Sequence, residues 1–314
     1  MVVEQAELSM NIILVGATGY LGPKLAGVLQ SMRHEVTVVT RDATLHANRL
    51  PEGVRVVGVK DYEPIALQHV LQGTDAVVNL AEANIGKGRW TRRRKALLLS
   101  SRVETTTAIV SAMSYLGADD RPSVLVSTSG IDYYGNSVDG TVTEDSPSGD
   151  SFMARLCVEW EGTARQAESM GVRVVTMRMG TVMGRGARAL QLRLLPFRFF
   201  VGGSFRPGKQ WFCWVHLDDA LDLYRFAIEH HEVRGSMNVV APGILRESEA
   251  ATAIGRATHR PSWLPVPASF LKLVMGEQAD LLLHGRHAEP VEALRYGYRF
   301  QYPEFEMAIR QILG

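Results

Sequence analysis

The sequence predicts an α/β protein: a doubly wound parallel sheet carried by residues 10–180, followed by a small C-terminal lobe that takes up most of 181–314. Two observations lead there. Short runs of β-branched, apolar residues alternate with helix-compatible segments through the first 180 residues or so. The first such run, NIILVG at 11–16, is apolar without a break, as a strand buried on both faces of a parallel sheet must be. Composition agrees with a folded domain. Of 314 residues 46% are hydrophobic and 21% charged, and a formal net charge of +1 gives no global pull toward nucleic acid or an anionic surface.

Taken in order, the strand candidates after 11–16 are HEVTVVT (34–40), VRVVGV (54–59), DAVVNLA (75–81), SVLVSTS (123–129) and VRVVTMR (172–178). Helix-compatible segments fall at YLGPKLAGVLQSM (20–32), 64–72, 91–117 and 151–170. After Arg178 the pattern loosens. RALQLRLLPFRFFVGG reads as a helix interrupted by Pro196, and KQWFCWVHLDDALDLYRFAIEHH as a strand running into a helix with Asp218 as N-cap. SMNVVAP is a further strand, the proline-rich RPSWLPVPASF an extended connection, and some segments of this second half are expected to return to the sheet. No apolar run reaches the length of a membrane-spanning helix, and MVVEQAELS has acids where a signal peptide needs an apolar stretch. The two cysteines, Cys157 and Cys213, are too few for a disulfide framework and fit a reducing compartment. Together these features lead to an expectation of a cytoplasmic protein.

The chemistry starts at GATGYLG. Gly16, Gly19 and Gly22 lie between the first strand and the first helix. The first glycine permits a tight turn, the second lets a pyrophosphate approach the backbone, and the third lets the helix pack close to the strand. The helix N-terminus then offers free N–H groups to phosphate. At the end of the second strand stand Thr40 and Arg41. An acid there would bond a ribose 2′-hydroxyl, whereas an arginine accommodates a 2′-phosphate, so the expected cofactor is NADP(H) rather than NAD. Asp42 comes one residue too late to be the ribose acid. The basic stretch GKGRWTRRRKALLLSSR (86–102) reads mainly as a solvated helix face and is too poor in aromatics for nucleic-acid binding. Arg102 lies farther along that helix, placed to turn toward the cofactor. The histidines show no metal-ligand spacing, so no metal site is expected.

With these pieces in order, the chain resembles the extended short-chain dehydrogenase/reductases, and more narrowly an epimerase-like subfamily of nucleoside-diphosphate-sugar epimerase homologues, some labelled cell-division inhibitors. The resemblance runs nearly end to end, through GATGYLG, VVNLAEANIGKGRW, YYG at 133–135, TEDSPSGDSF, LPFRFFVGG, GKQWFCWVHLDDAL, NVVAP, RPSWLPVPA and GYRFQYPEFEMAI. It implies a Rossmann fold of the NAD-dependent epimerase/dehydratase type with a DUF1731-like C-terminal region. It also implies NADP contacts at Thr18, Gly19, Tyr20 and Leu21, a 2′-phosphate site at Thr40 and Arg41, and further contacts at Leu80, Ala81, Arg102 and Val182. The chain departs from the family pattern at Glu82-Ala83 and at Leu97.

In the wider superfamily a Ser or Thr at the end of the fifth strand polarises the substrate oxygen, while a Tyr and a Lys four residues later on one helix face move the proton. Here the helix SFMARLCVEWEGTAR places Met153 and Cys157 at those positions, or Phe152 and Leu156 one residue earlier. Neither pair can transfer a proton as Tyr and Lys do, and Met153, Cys157, Trp160 and Ala164 continue one apolar stripe. The remaining catalytic candidates are Ser129 at the strand end and Tyr134 in the following loop. Asn84, Lys209, Trp211 and His216 are candidates for a substrate pocket, although His216 before Asp218 and Asp219 also reads as a helix-start residue. Two functions stay open: an oxidoreductase or epimerase acting on an unidentified small molecule, with a homodimer allowed, or a non-catalytic NADP(H)-sensing regulator.

Overall fold

The computed structural model describes residues 9–44 and 47–314; all but the last residue of the N-terminal stretch MVVEQAELS lies outside them. Strand β1 (Asn11–Val15) leads through the glycine loop into α1 (Gly22–Ser31), followed by β2 (Glu35–Thr40), β3 (Arg55–Gly58), α2 (Pro64–Leu71) and β4 (Ala76–Asn79). The long α3 (Arg92–Ser114), β5 (Val124–Gly130), β6 (Ser137–Val142), α4 (Phe152–Arg165), β7 (Arg173–Met179) and β8 (Thr181–Met183) come next. Then come α5 (Arg188–Arg198), β9 (Trp211–Phe212), β10 (Trp214–His216), α6 (Leu217–Glu229), β11 (Gly235–Val239), β12 (Leu245–Arg246) and α7 (Glu247–Thr258). The chain ends with α8 (Ala268–Met275), α9 (Asp280–Leu283), β13 (Gly285–Ala288), α10 (Val291–Arg295) and α11 (Phe305–Leu313).

Seven strands form one parallel sheet in the order β3-β2-β1-β4-β5-β7-β11. The unbroken apolar run of β1 now has its reason. Ile12 and Leu14 face one layer, with Leu25 and Leu29 of α1 and Tyr224 of α6; Ile13 and Val15 face the other, with Leu67 of α2 and Ile109 of α3. Strand order reverses between β1 and β4, and such a switch point opens a crevice at the carboxyl ends of the strands.

The glycine loop sits at that crevice. Gly16 has φ +74°, and a Cβ there would lie 2.5 Å from Ala81 Cα. A Cβ on Gly22 would lie 2.1 Å from the Ala17 carbonyl oxygen, so this glycine lets the start of α1 pack against the glycine loop. A Cβ on Gly19 meets no protein atom within 4 Å. The three glycines of GATGYLG therefore divide into two that serve packing and one that faces open space.

After β7, only β11 joins the main sheet. Helix α6 packs on the sheet through Tyr224, while α5, α7 and α11 build a second core in which Phe212 and Trp214 meet Phe305 edge to face beside Ile254 and Ile309. Small sheets pair β10 with β8, β12 with β9, and β13 with β6.

Four local expectations need correction. The N-cap of α6 is His216, whose Nδ1 accepts from the Asp218 N–H; Asp218 lies inside the first turn, where its charge complements the helix dipole. Pro196 does not interrupt α5, which runs through it to Arg198; only the turn after Leu192, itself exposed to water, loses a backbone donor. The helix read at 151–170 ends at Arg165 and closes as a tighter turn over Gln166–Met170. The extended segment from Arg260 stops at Pro267, the N-cap of α8.

The packing role of Gly22 has a direct consequence. Gly22→Ala should lower stability by about 2–3 kcal/mol, because the start of α1 and the Ala17 peptide must move apart to admit the methyl group. Chemical denaturation of this variant checks it against Gly19→Ala, which should unfold like the wild type.

Candidate active site

A cleft of about 780 Å³ lies over the switch point, within the usual size range of a small-molecule or cofactor site. Five of the residues read from the sequence as cofactor contacts line it: Gly16 and Thr18 from the glycine loop, Thr40 and Arg41 from the end of β2, and Ala81 after β4. Arg41 is exposed at its mouth. The sequence reading missed Asp61 and Tyr62 after β3, and Ser100, Glu104 and Thr105 of α3, which also line the cleft. Asp61 and Tyr62 both hold left-handed backbone, at φ +53° and +54°, unusual for non-glycine residues and typical of functional sites. No residue type in the sequence announces that conformation.

The other predicted contacts surround the cleft rather than line it. Tyr20 bridges the glycine loop to the chain after β8, its hydroxyl donating to the Arg185 carbonyl at 3.0 Å. Burial, with the Asp218 carboxylate nearby, pushes that hydroxyl up to about 12, so it stays protonated. Leu21 caps α1 without a side-chain bond, which leaves the first N–H groups of the helix free of a capping side chain. Leu80 packs on the core beneath, and Val182 pairs with Val215 across β8 and β10. Arg102 is 2% exposed. Its guanidinium donates to Oε2 of the cleft-lining Glu82 at 2.5 Å and lies 5.0 Å over the Trp160 ring. Glu82, where the chain departs from the family pattern, is thus held by a buried arginine.

The proposed substrate-pocket residues do not converge. Asn84 folds onto its own loop, its Oδ1 accepting from the Gly86 N–H. Lys209 is exposed, and its carbonyl accepts from Arg246. Trp211 stacks on His287 at 4.4 Å beneath the Arg246 guanidinium. His216, 2% exposed, is shared between the α6 cap and Gln311 of α11, at 3.1 Å from its Oε1. Among the described residues no group of three or more His, Cys, Asp or Glu is placed to hold a metal ion.

The two hydroxyls chosen for catalysis occupy a buried polar network. At its centre Arg178 and Glu161, 1% and 2% exposed, form a two-pronged pair with both N···O distances at 2.9 Å. Ser129 donates to Glu161 Oε1 at 2.7 Å. Tyr134 accepts from Arg178 Nη1 and donates to Asn238 Oδ1, both at 2.8 Å. The Arg178 guanidinium also lies 3.5 Å over the Tyr133 ring. Burial pushes the Tyr134 hydroxyl up to about 12 against the pull of Arg178. Both hydroxyl protons are therefore committed to protein acceptors. Glu144 completes the network: its Oε1 accepts from the Asn238 and Glu292 N–H groups, while the buried Oε2 has no partner.

Beside this network the α4 face that lacks the Tyr–Lys pair is a packing surface. Met153, Leu156, Cys157 and Trp160 form a cluster with Leu98 of α3. Burial and the Asp132 and Glu161 carboxylates push the Cys157 thiol up to about 12, so it is no thiolate at neutral pH.

Comparison with known proteins agrees with this architecture. Residues 12–240 match the NAD dependent epimerase/dehydratase family. The chain belongs to that family. Residues 266–312 match DUF1731, a domain of unknown function. The chain is 37% identical to the chloroplastic epimerase family protein SDR39U1 homolog of Arabidopsis thaliana, over 98% of this chain and 88% of that one. It is 35% identical to the epimerase family protein YfhF of Bacillus subtilis, over 97% and 98%. The crystal structure of the human epimerase family protein SDR39U1 (isoform 2) with NADPH superposes with a TM-score of 0.85 at 33% identity, covering 97% of this chain and 99% of that one. No helix among the described residues is long and apolar enough to cross a membrane.

The buried Glu144 carboxyl yields a pH prediction. Burial raises its pKa above the ordinary glutamate value, outweighing the N–H groups that bond it. A raised carboxyl pKa means that the folded state favours the protonated form; the stability this gives is complete at low pH and is lost as pH rises through the folded pKa. Glu144→Gln keeps an acceptor for the two N–H groups and cannot ionise. Measured by denaturation across pH, the variant should gain on the wild type as pH rises above the ordinary glutamate range; parallel curves would refute it.

Proposed function

We propose that this chain binds NADP(H) in the cleft at the β1–β4 switch point and is an oxidoreductase or epimerase acting on a small molecule. The carrying observation is Arg41, exposed at the end of β2 on the rim of a cleft that also holds the glycine loop. The residues fit the group. A Cβ on Gly19 meets nothing of the protein, so that position leaves the backbone open to a pyrophosphate. The first turn of α1 has no side-chain cap competing for its N–H groups. Thr40 and Arg41 would take the 2′-phosphate, and Ala81 would line the nicotinamide side, with Tyr20, Leu21, Leu80, Arg102 and Val182 holding the walls. When bound, the cofactor supplies a hydride donor or acceptor. The human relative solved with NADPH supports this choice.

The chain's own residues handle protons in an unusual way. Ser129 and Tyr134 act as positioning groups, because each already donates to a buried acceptor. A proton needed by the substrate is therefore expected from the substrate itself or from water. The same observation favours a second reading. On that reading, with no Tyr–Lys pair and both hydroxyls engaged, the loaded cleft serves as a signal to a partner instead of as a reaction site, and the chain is a non-catalytic NADP(H)-sensing regulator.

NADPH should bind about 5- to 150-fold more tightly than NADH, the range expected of a partly exposed Arg–phosphate contact. Calorimetry on the wild type and on Arg41→Ala checks this: the variant should lose most of the preference. Gly19→Val should stay folded and bind neither. Equal wild-type affinities would overturn the 2′-phosphate assignment, and tight binding by Gly19→Val would move the pyrophosphate elsewhere.

A further inference from the structure

Helices α5 and α8 each bury one face and turn a second apolar face outward. In α5, Leu190 and Phe197 are buried while Leu192 and Leu195 are exposed, and Phe199, its C-cap, is 69% exposed. In α8, Leu271 is buried while Phe270, Leu273 and Val274 are exposed, and Leu273 reaches 72%. The chain after α5 and the chain before α8 run side by side. The Trp263 indole donates to the Phe200 carbonyl at 3.0 Å, Leu264 N–H to Gly202, and Val266 N–H to Ser204. The result is a ledge of Phe199, Phe200, Trp263 and Leu264, carried by the paired chain that follows α5 and precedes α8. Phe200 holds a left-handed backbone (φ +62°) that is costly for so bulky a residue, yet its ring is half exposed. An exposed apolar surface of this kind marks an interaction site.

The surroundings of the ledge are basic. The stretches that build it, 188–209 and 250–276, contain arginines and lysines but no aspartate or glutamate. The Arg260 guanidinium lies 4.1 Å over the Phe200 ring. With Arg256, His259 and Ser262 it lines a shallow cleft beside the ledge, near the end of α7. Arg256 has one distant acid, Glu306, at 3.8 Å. A second copy meeting this face through a twofold axis would set the same basic rim against itself. The complementary surface is apolar beneath and anionic above, which is the chemistry of a phospholipid bilayer with acidic headgroups. Aromatic side chains at headgroup depth, flanked by Arg and Lys, are how monotopic proteins sit on such a surface.

We propose that the α5–α8 ledge docks the protein on an anionic membrane surface, with Phe199, Phe200 and Trp263 entering the interface and the Arg256–His259–Arg260 cleft facing lipid phosphates. The docking is peripheral, in keeping with the absence of a spanning helix among the described residues. It stands independently of the cofactor reading, since none of these residues lines the dinucleotide cleft.

Co-sedimentation of the full chain with vesicles of phosphatidylcholine, with and without phosphatidylserine, tests it. The protein should pellet with the anionic vesicles and much less with the neutral ones. Arg256→Gln and Arg260→Gln should each weaken the association about 5-fold, and Trp263→Ser should weaken it while leaving thermal unfolding unchanged. Trp263 fluorescence should shift to the blue with anionic vesicles and be quenched by brominated lipid, a signal that Trp263→Phe removes. No pelleting, equal pelleting with both vesicles, or arginine variants that bind like the wild type would overturn the proposal. So would thermal stabilisation by inorganic phosphate without vesicle binding, or an acidic protein that covers Trp263 where vesicles do not.

Discussion

The Arg178–Glu161 pair is the constraint around which the second half of the sheet is arranged. Two opposite charges removed from water are tolerated only when their geometry is good and their remaining hydrogen-bonding groups are satisfied. Here the guanidinium meets the carboxylate with two prongs and turns its last nitrogen to Tyr134 and the Glu144 carbonyl. Glu161 takes the Ser129 hydroxyl and a further contact from Arg165. One side chain on β7 and one on α4 thereby fix β5, the loop into β6, and β11 through Asn238. Removing Glu161 would leave Arg178 buried without its carboxylate, and removing Arg178 would leave Glu161 only the half-exposed Arg165, so every element that touches the pair is held in register with it.

This arrangement separates the two halves of the crevice. On the β1–β2 side the chain leaves backbone and a single exposed arginine facing the cleft, with glycines where side chains would obstruct either packing or a ligand. On the β5–β7 side the groups that resemble catalytic ones are consumed by the fold. The Ser129 hydroxyl donates to a buried carboxylate and the Tyr134 hydroxyl to the Asn238 amide oxygen, and burial opposes deprotonation of Tyr134. The apolar face of α4 fits the same logic: with no Tyr–Lys pair to present, Met153, Cys157 and Trp160 seal α4 against Leu98 of α3. Family membership and this departure from the superfamily's proton chemistry coexist in one chain.

The sheet was legible because its inner strands are short runs rich in β-branched and apolar residues, and because GATGYLG carries its own spacing. Arg41 was legible for the same reason: its place at a strand end is set by sequence distance from β2. What stayed hidden depended on long-range partners. Ser129 looks like a catalytic hydroxyl until Glu161, thirty-two residues on, is brought against it. His216 looks like a pocket residue until Gln311 of the last helix reaches it. Strands β6 and β13 pair across more than a hundred residues, too far for local pattern to join them. Asp61 and Tyr62 line the cleft through a backbone conformation that their side chains do not encode.

The account turns on whether the Ser129 and Tyr134 hydroxyls serve the fold. The most direct measurement is chemical denaturation of Ser129→Ala and Tyr134→Phe alongside NADPH titration of the same proteins. If the hydroxyls serve the clamp, each variant loses about 1–3 kcal/mol of stability, the cost of leaving a buried partner unsatisfied, and binds NADPH like the wild type. Unchanged stability together with weakened NADPH binding would place the hydroxyls in the cofactor cleft and contradict the account.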